Sequence, residues 1–212
     1  MIELKNIVKK FDEKTVLDHF SARFQRGQSY ALTGISGSGK TTLLNIIGKL
    51  ERADEGDVLV DGKNLSDIPE QVYFRDYVGY LFQNYGLIDN ETISQNLVLA
   101  FVGKKMSKSE QKKQMLMALK KVKVTLDLNR KIYSLSGGEA QRVAIAKLIL
   151  KKPSIILADE PTAALDEKNG GDVTTLILSL LDDKTTIIIA THNPSVWEML
   201  GSRLIVNGEG DR

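Results

Sequence analysis

The chain has 212 residues, 42% of them hydrophobic and 26% charged, enough to bury a sizeable core and too apolar for a disordered segment. Its 29 basic and 27 acidic side chains leave a net charge of +2, which gives no electrostatic footprint for a nucleic-acid partner. It has no cysteine, which excludes disulfides and thiolate metal sites and suits a reducing compartment.

The opening segment MIELKNIVKKF lacks the apolar core of a signal peptide, so a cytoplasmic location is expected. Residues 2–8 and 15–24 alternate apolar and polar side chains, as antiparallel strands with one wet face do. Residues 28–33 read as a further strand that runs into the glycine-rich turn Gly34–Gly39, and Thr41–Leu50 reads as a helix with Leu43, Leu44, Ile46 and Ile47 apolar. Short strands are expected within Gly56–Gly62 and Tyr77–Phe82. From about Thr92 to Tyr133 the chain turns helical. Ser134–Leu150 reads as a loop followed by a helix from Glu139. Ile155–Ala158 and Thr186–Ala190 are uniformly apolar, the pattern of parallel strands buried on both faces, with a helix near Asn169–Leu181 between them. The longest apolar runs, such as Ile187–Ala190, fall far short of the roughly 20 residues that cross a bilayer.

The expected fold is therefore α/β: a mostly parallel sheet with an antiparallel β subdomain and a helical subdomain. The whole chain is read as one domain, with core and β subdomain at 1–83 and 151–212 and a helical subdomain at about 84–150.

Gly34-Ile35-Ser36-Gly37-Ser38-Gly39-Lys40-Thr41 matches the spelling GxxxxGK[ST], and Thr42 follows. Glycines let the backbone curl until its N–H groups face a phosphate chain, and the helix behind adds its positive N-terminal end. Lys40 can reach the outer phosphates, and the Thr41 hydroxyl can ligate Mg²⁺. Ile155–Glu160 is an apolar strand ending in two carboxylates. Such a strand delivers Asp159 to the C-terminal edge of the sheet beside the glycine turn, where it can hold Mg²⁺, and Glu160 can face an attacking water. Leu135-Ser136-Gly137-Gly138-Glu139 offers a second anion site from Ser136, Gly137 and Gly138 at a helix start. A kinase or GTPase has no use for a second one.

Those residues, followed by Gln141 and Arg142, resemble the signature motif of ABC ATPases, and the resemblance runs in order through nearly the whole chain. It implies binding and hydrolysis of ATP with Mg²⁺ for a transporter. Phe11 resembles the aromatic that stacks on adenine, although plain core packing also fits it. Gln83 resembles the glutamine that touches Mg²⁺ and senses the permease, Asp166 the acid of the loop that crosses a dimer interface, and His192 the histidine that contacts the γ-phosphate. His19 reads as structural. The family implies two copies packed head to tail, each ATP lying between Lys40 of one chain and Ser136–Gly138 of the other, and a separate integral-membrane permease that holds the subunit on the inner face of the membrane. The roles implied are catalytic for Glu160, His192, Lys40 and Gln83, nucleotide-binding for Phe11, Gly34, Ser36, Gly37, Ser38, Gly39, Thr41, Thr42, Ser136, Gly137, Gly138 and Asp166, and metal-binding for Thr41, Gln83 and Asp159.

The stretch Tyr77–Ile88 is similar to the group that releases lipoproteins, expels macrolides or exports antimicrobial peptides, with lactococcin-type bacteriocin exporters nearest in likeness. Ala163-Ala164 departs from the Gly-Asn common there. Tyr85, Leu87 and Ile88 are expected to offer the permease an apolar docking surface. An importing subunit and a soluble ABC ATPase with no transport role are the competing expectations. The eight lysines between Lys104 and Lys123 suit a solvated face, or contact with anionic headgroups beside the permease.

Overall fold

The computed structural model describes residues 1–206, so residues 207–212 of the expected core segment 151–212 lie outside the description. Two sheets carry the architecture. β1 (Ile2–Phe11) and β2 (Lys14–Phe24) form an antiparallel hairpin. β4 (Glu55–Val60) joins β1 from the other side and β5 (Lys63–Asn64) completes the order β2-β1-β4-β5. Ile2 and Leu4 face inward while Lys5 faces water, the alternation a half-wet sheet requires.

The second sheet is parallel throughout, in the order β6-β7-β8-β3-β9. Its strands are β3 (Ser29–Thr33), β6 (Val78–Leu81), β7 (Ile155–Asp159), β8 (Thr186–Ala190) and β9 (Ser202–Ile205). β3 and β8 are buried at every position. Successive side chains enter different cores. Ile155, Leu157, Ile188 and Ala190 join Leu43, Leu44 and Ile47 of α1 (Lys40–Ile47) and the inner face of the antiparallel sheet. Ile156, Ala158, Ile187 and Ile189 join the helical side. That side is built from α3 (Ile93–Val98), α4 (Lys108–Lys121), α5 (Gly137–Lys151) and α6 (Glu167–Leu178). A run of apolar residues without alternation is what a strand with helices or sheet on both faces needs. The architecture is α/β as expected: a parallel sheet core that carries an antiparallel sheet on one side and a group of helices on the other.

Several boundaries differ from expectation. α1 ends at Ile47 because Gly48, Lys49 and Leu50 fold back in a turn, with the Leu50 N–H donating to Asn45 O. The stretch expected to be helical from 92 to 133 divides into α3, a short 3-10 turn and α4. Each α-helix starts at its own side-chain cap, Thr92 and Ser107. α5 begins at Gly137 rather than Glu139, since Ser136 and Glu139 form a reciprocal capping box. Elements outside the expected set are β5, the 3-10 turn Leu65–Asp67, α2 (Glu70–Val72) with the π-type turn Tyr73–Tyr77, α7 (Pro194–Trp197), and the edge strand β9.

Candidate functional site

The loop after β3 is built around glycines with left-handed or sterically closed backbones. Gly34 has φ 149°, and a Cβ there would lie 2.4 Å from the carbonyl oxygen of Val206. Gly39 has φ 97°, and a Cβ there would lie 2.9 Å from Val16 Cγ1. Only glycine fits either place. The loop closes around the Lys40 ammonium, which donates to Gly34 O and Ile35 O, each at 2.9 Å. Gly39 caps α1 without a side-chain acceptor, so the first N–H groups of that helix are left for a ligand.

β7 and β8 bring the remaining groups to the same edge. Thr41 Oγ1 donates to Asp159 Oδ1 at 3.2 Å. Burial pushes the Asp159 carboxyl above its ordinary range and the neighbouring Glu160 charge adds to this, against the Thr41 hydrogen bond and the Lys40 charge. The site thus calls for more positive charge than the protein supplies. Glu160 stands at φ 45°, a left-handed backbone that costs about 1–3 kcal/mol for a non-glycine residue. Its N–H donates to Ala190 O at 2.9 Å, which fixes the turn against β8. Glu160 Oε1 accepts from the His192 backbone N–H at 3.1 Å and lies 2.8 Å from His192 Nδ1. The imidazole itself is largely in solvent.

Phe11, Ser36, Gly37, Gly39, Lys40, Thr41, Thr42, Asp159, Glu160 and His192 line one open cleft of about 350 Å³. Phe11 is 45% exposed at its mouth, so plain core packing does not describe it. Val16, from β2, lines the same cleft; nothing in the sequence marks one valine of a strand for this place. Gly34 and Ser38 form the loop behind. Gln83 follows β6 in an adjoining cleft, whose wall it shares with Thr41, Asn45 and Asp159. Hard oxygen donors on Thr41 and Asp159, a glutamine amide beside them and a carboxylate short of positive charge fit a Mg²⁺ ion that takes its other ligands from phosphate and water.

Ser136 and Gly138 are elsewhere. They line a separate depression of about 380 Å³ with Lys123, Arg142, Leu165 and Asn169. Ser136 Oγ accepts from the Glu139 N–H at 3.3 Å, and Glu139 Oε2 accepts from the Ser136 N–H at 2.8 Å. Gly137 faces the loop after β6: a Cβ there would lie 2.7 Å from the Tyr85 hydroxyl. Asp166 caps α6, accepting the Asn169 N–H at 3.0 Å, and its neighbours Leu165 and Asn169 belong to this second depression. A single chain therefore does not bring Ser136, Gly138 and Asp166 into the cleft of Lys40.

A family model described as "ABC transporter" matches residues 17–163. The chain is 37% identical over 223 residues to the uncharacterized ABC transporter ATP-binding protein MJ0796 of Methanocaldococcus jannaschii, covering 100% of this chain and 94% of the relative. A solved structure of MJ0796, described as dimeric, post-hydrolysis and bound to ADP and Pi, superposes with a TM-score of 0.88 at 34% identity, covering 100% of this chain and 98% of that one. Relatives named for opposite directions of transport are close to equally similar. The methionine import ATP-binding protein MetN of Clostridioides difficile is 36% identical, over 100% of this chain and 67% of its own length. The macrolide export ATP-binding/permease protein MacB of Pasteurella multocida is 34% identical, over 100% of this chain and 33% of its own length.

Proposed function

The chain belongs to the ABC transporter family as an ATP-binding, ATP-hydrolysing subunit, and we propose that it completes its active site only by pairing head to tail with a second copy and drives an export-type permease. The observation that carries the pairing is the separation of the two anion-binding depressions within one chain. One depression has the ammonium, carboxylates and hydroxyls for a triphosphate. The other has the start of α5, capped by Ser136, with Gly138 beside it. The dimeric MJ0796 cassette supports joining them across two chains.

In this reading the glycine loop and Lys40 hold the phosphate chain, with Ser36, Ser38 and Thr42 around it, and Phe11 stacks on adenine. Thr41, Asp159 and Gln83 would hold Mg²⁺, which when bound offsets the phosphate charge. Glu160, held in a strained turn, aims its carboxylate at the attacking water. His192, tied to Glu160 Oε1, contacts the γ-phosphate. Ser136, Gly137, Gly138 and Asp166 face the partner copy's nucleotide. Residues 1–83 and 151–212 act as the core with its β subdomain, and about 84–150 as the helical subdomain.

The relatives named as transporter ATP-binding proteins support a separate permease and a peripheral place for this chain on the cytoplasmic face. No helix among the described residues is long and apolar enough to cross a membrane. The likeness of Tyr77–Ile88 to the lipoprotein, macrolide and antimicrobial-peptide group favours export, and similarity to MetN keeps import as the competing reading.

Gly138→Asp tests the composite site. A Cβ at Gly138 meets only Leu165 Cδ2, at 3.8 Å, and an acid in the first turn of α5 suits the helix dipole, so the fold should hold. The new charge would oppose a phosphate bound by the partner. ATP affinity of the isolated chain should stay at the parental value while hydrolysis falls by at least about a hundredfold. Parental hydrolysis in this variant would refute the head-to-tail site.

A further inference from the structure

The helix α4 packs inward through Met115, Ala118 and Leu119, which are buried on the helical side of the core. Its outer face is of a different kind. Ser109, Lys112, Lys113, Leu116, Met117 and Lys120 line a shallow depression of about 420 Å³ there. Leu116 and Met117 are 48% and 53% exposed, side by side. Each has a lysine four residues before it and four after it: Lys112 and Lys120 for Leu116, Lys113 and Lys121 for Met117. On a helix that spacing puts each apolar side chain between two ammonium groups along one ridge.

The charge of this face is not balanced from within the chain. Between Lys104 and Lys123 eight lysines meet one acid, Glu110, so the segment carries +7 in a chain whose total is +2. Glu110 accepts from Gln114 Nε2 at 3.0 Å. Among the described residues Lys112, Lys113, Lys120 and Lys121 form no ion pair. Helix stability accounts for part of the pattern only. Lys120 and Lys121 stand in the last turn, where the helix dipole favours cations. Lys112 and Lys113 are in the middle and gain nothing from it, and Lys108 with Lys112 is a like-charge pair four residues apart, which weakens a helix.

We propose that the outer face of α4 rests directly on the anionic surface of a phospholipid bilayer, with Leu116 and Met117 entering the headgroup layer and the lysines around them pairing with lipid phosphates. Lysine stems lie along apolar surface while their ammonium groups reach outward, which suits a boundary that is apolar below and negatively charged at its rim. Nucleic acid is a poorer match. The stripe has no arginine to fork onto a phosphate and no aromatic side chain to stack on a base. The inference rests on the permease reading only for what brings the chain to a membrane, since the contact itself is with lipid.

Sedimentation of the purified full chain with lipid vesicles tests this in the absence of any permease. One set of vesicles is phosphatidylcholine alone, and the other contains roughly a third phosphatidylglycerol. The parent should partition onto the anionic vesicles at least about tenfold more strongly, and most of that preference should vanish in about 1 M salt. Lys112→Gln/Lys113→Gln/Lys120→Gln should weaken binding to the anionic vesicles by at least about tenfold. Leu116→Ser/Met117→Ser should weaken it several-fold while keeping the salt dependence. All five positions are exposed and none lines the clefts of Lys40 or Ser136, so fold and basal ATPase should stay parental. Equal partitioning onto the two vesicles, no partitioning onto either, a triple variant that binds as the parent does, or a parent that prefers duplex DNA to the anionic vesicles would each overturn the proposal. Such a failure leaves the permease reading in place, because no permease takes part in the measurement.

Discussion

Phe11 lies 45% exposed at the end of β1, with the Lys9 ammonium 5.1 Å from its ring centre. An aromatic placed this way contributes little to the core and is free to stack. Base stacking contributes about 1–3 kcal/mol. Phe11→Ala should therefore weaken ATP binding several-fold to about a hundredfold with an unchanged melting temperature, and Phe11→Tyr should be tolerated. Unchanged affinity in a titration of the alanine variant would remove Phe11 from the nucleotide site. Lys151 makes a different residue-scale case. Burial together with the Lys147 and Lys104 charges pushes its folded pKa down to about 8 from the ordinary 10.5. Between those values the unfolded chain binds more protons, so stability rises with pH. Below pH 8 the charge is present in both states and the penalty is full. Lys151→Met should raise the melting temperature by roughly 2–4 °C at pH 7, and the gain should shrink as pH approaches 10. A gain that is equal at both pH values would contradict the burial argument. The shared place of Lys40 and Asp159 in one cleft was legible because their neighbours spell a glycine turn and a strand that ends beside it. The partial burial of Lys147 and Lys151 was not, since a lysine in a helix shows nothing of what will pack over it.

At the level of elements, uniform apolar runs revealed β7 and β8, and the glycine spelling revealed the loop and helix after β3. Elements fixed by tertiary contacts and not by an apolar pattern of their own stayed hidden. β9 is a four-residue edge strand containing Ser202 and Arg203, with no apolar run to announce it, yet it continues into Val206, whose N–H donates to Thr33 O and whose carbonyl packs on Gly34. The turn Tyr73–Tyr77 depends on Tyr73, fully buried, whose hydroxyl donates to Ile47 O at 2.7 Å. That carbonyl is at the C-terminus of α1, where helix acceptors run out of partners. Tyr73→Phe should leave it unpaired in the core and cost about 1–3 kcal/mol of unfolding free energy, read by urea titration, with Phe11 and Lys40 still able to bind nucleotide. A stability equal to the parent's would mean that the hydroxyl has no structural part.

For the whole molecule, the decisive feature is that the depression lined by Ser136 and Gly138 and the cleft lined by Lys40 do not meet within one chain. Motif order in the sequence could not show this, because Ser136–Gly138 and Gly34–Thr41 are equally compatible with one shared pocket until the sheet and α5 are placed. Two copies related head to tail would bring each depression to the other's nucleotide, so ATP would hold them together until it is cleaved. Glu160→Gln removes the proposed base while keeping the side chain's size, and the Gln amide cannot accept the water's proton. With hydrolysis blocked, the closed pair should persist. The most direct measurement is the mass of Glu160→Gln in Mg-ATP by size-exclusion chromatography with light scattering. A species of twice the 23.5 kDa chain mass, returning to the single mass when ATP is withdrawn, is the predicted result. A variant that binds ATP and remains at 23.5 kDa would contradict the account.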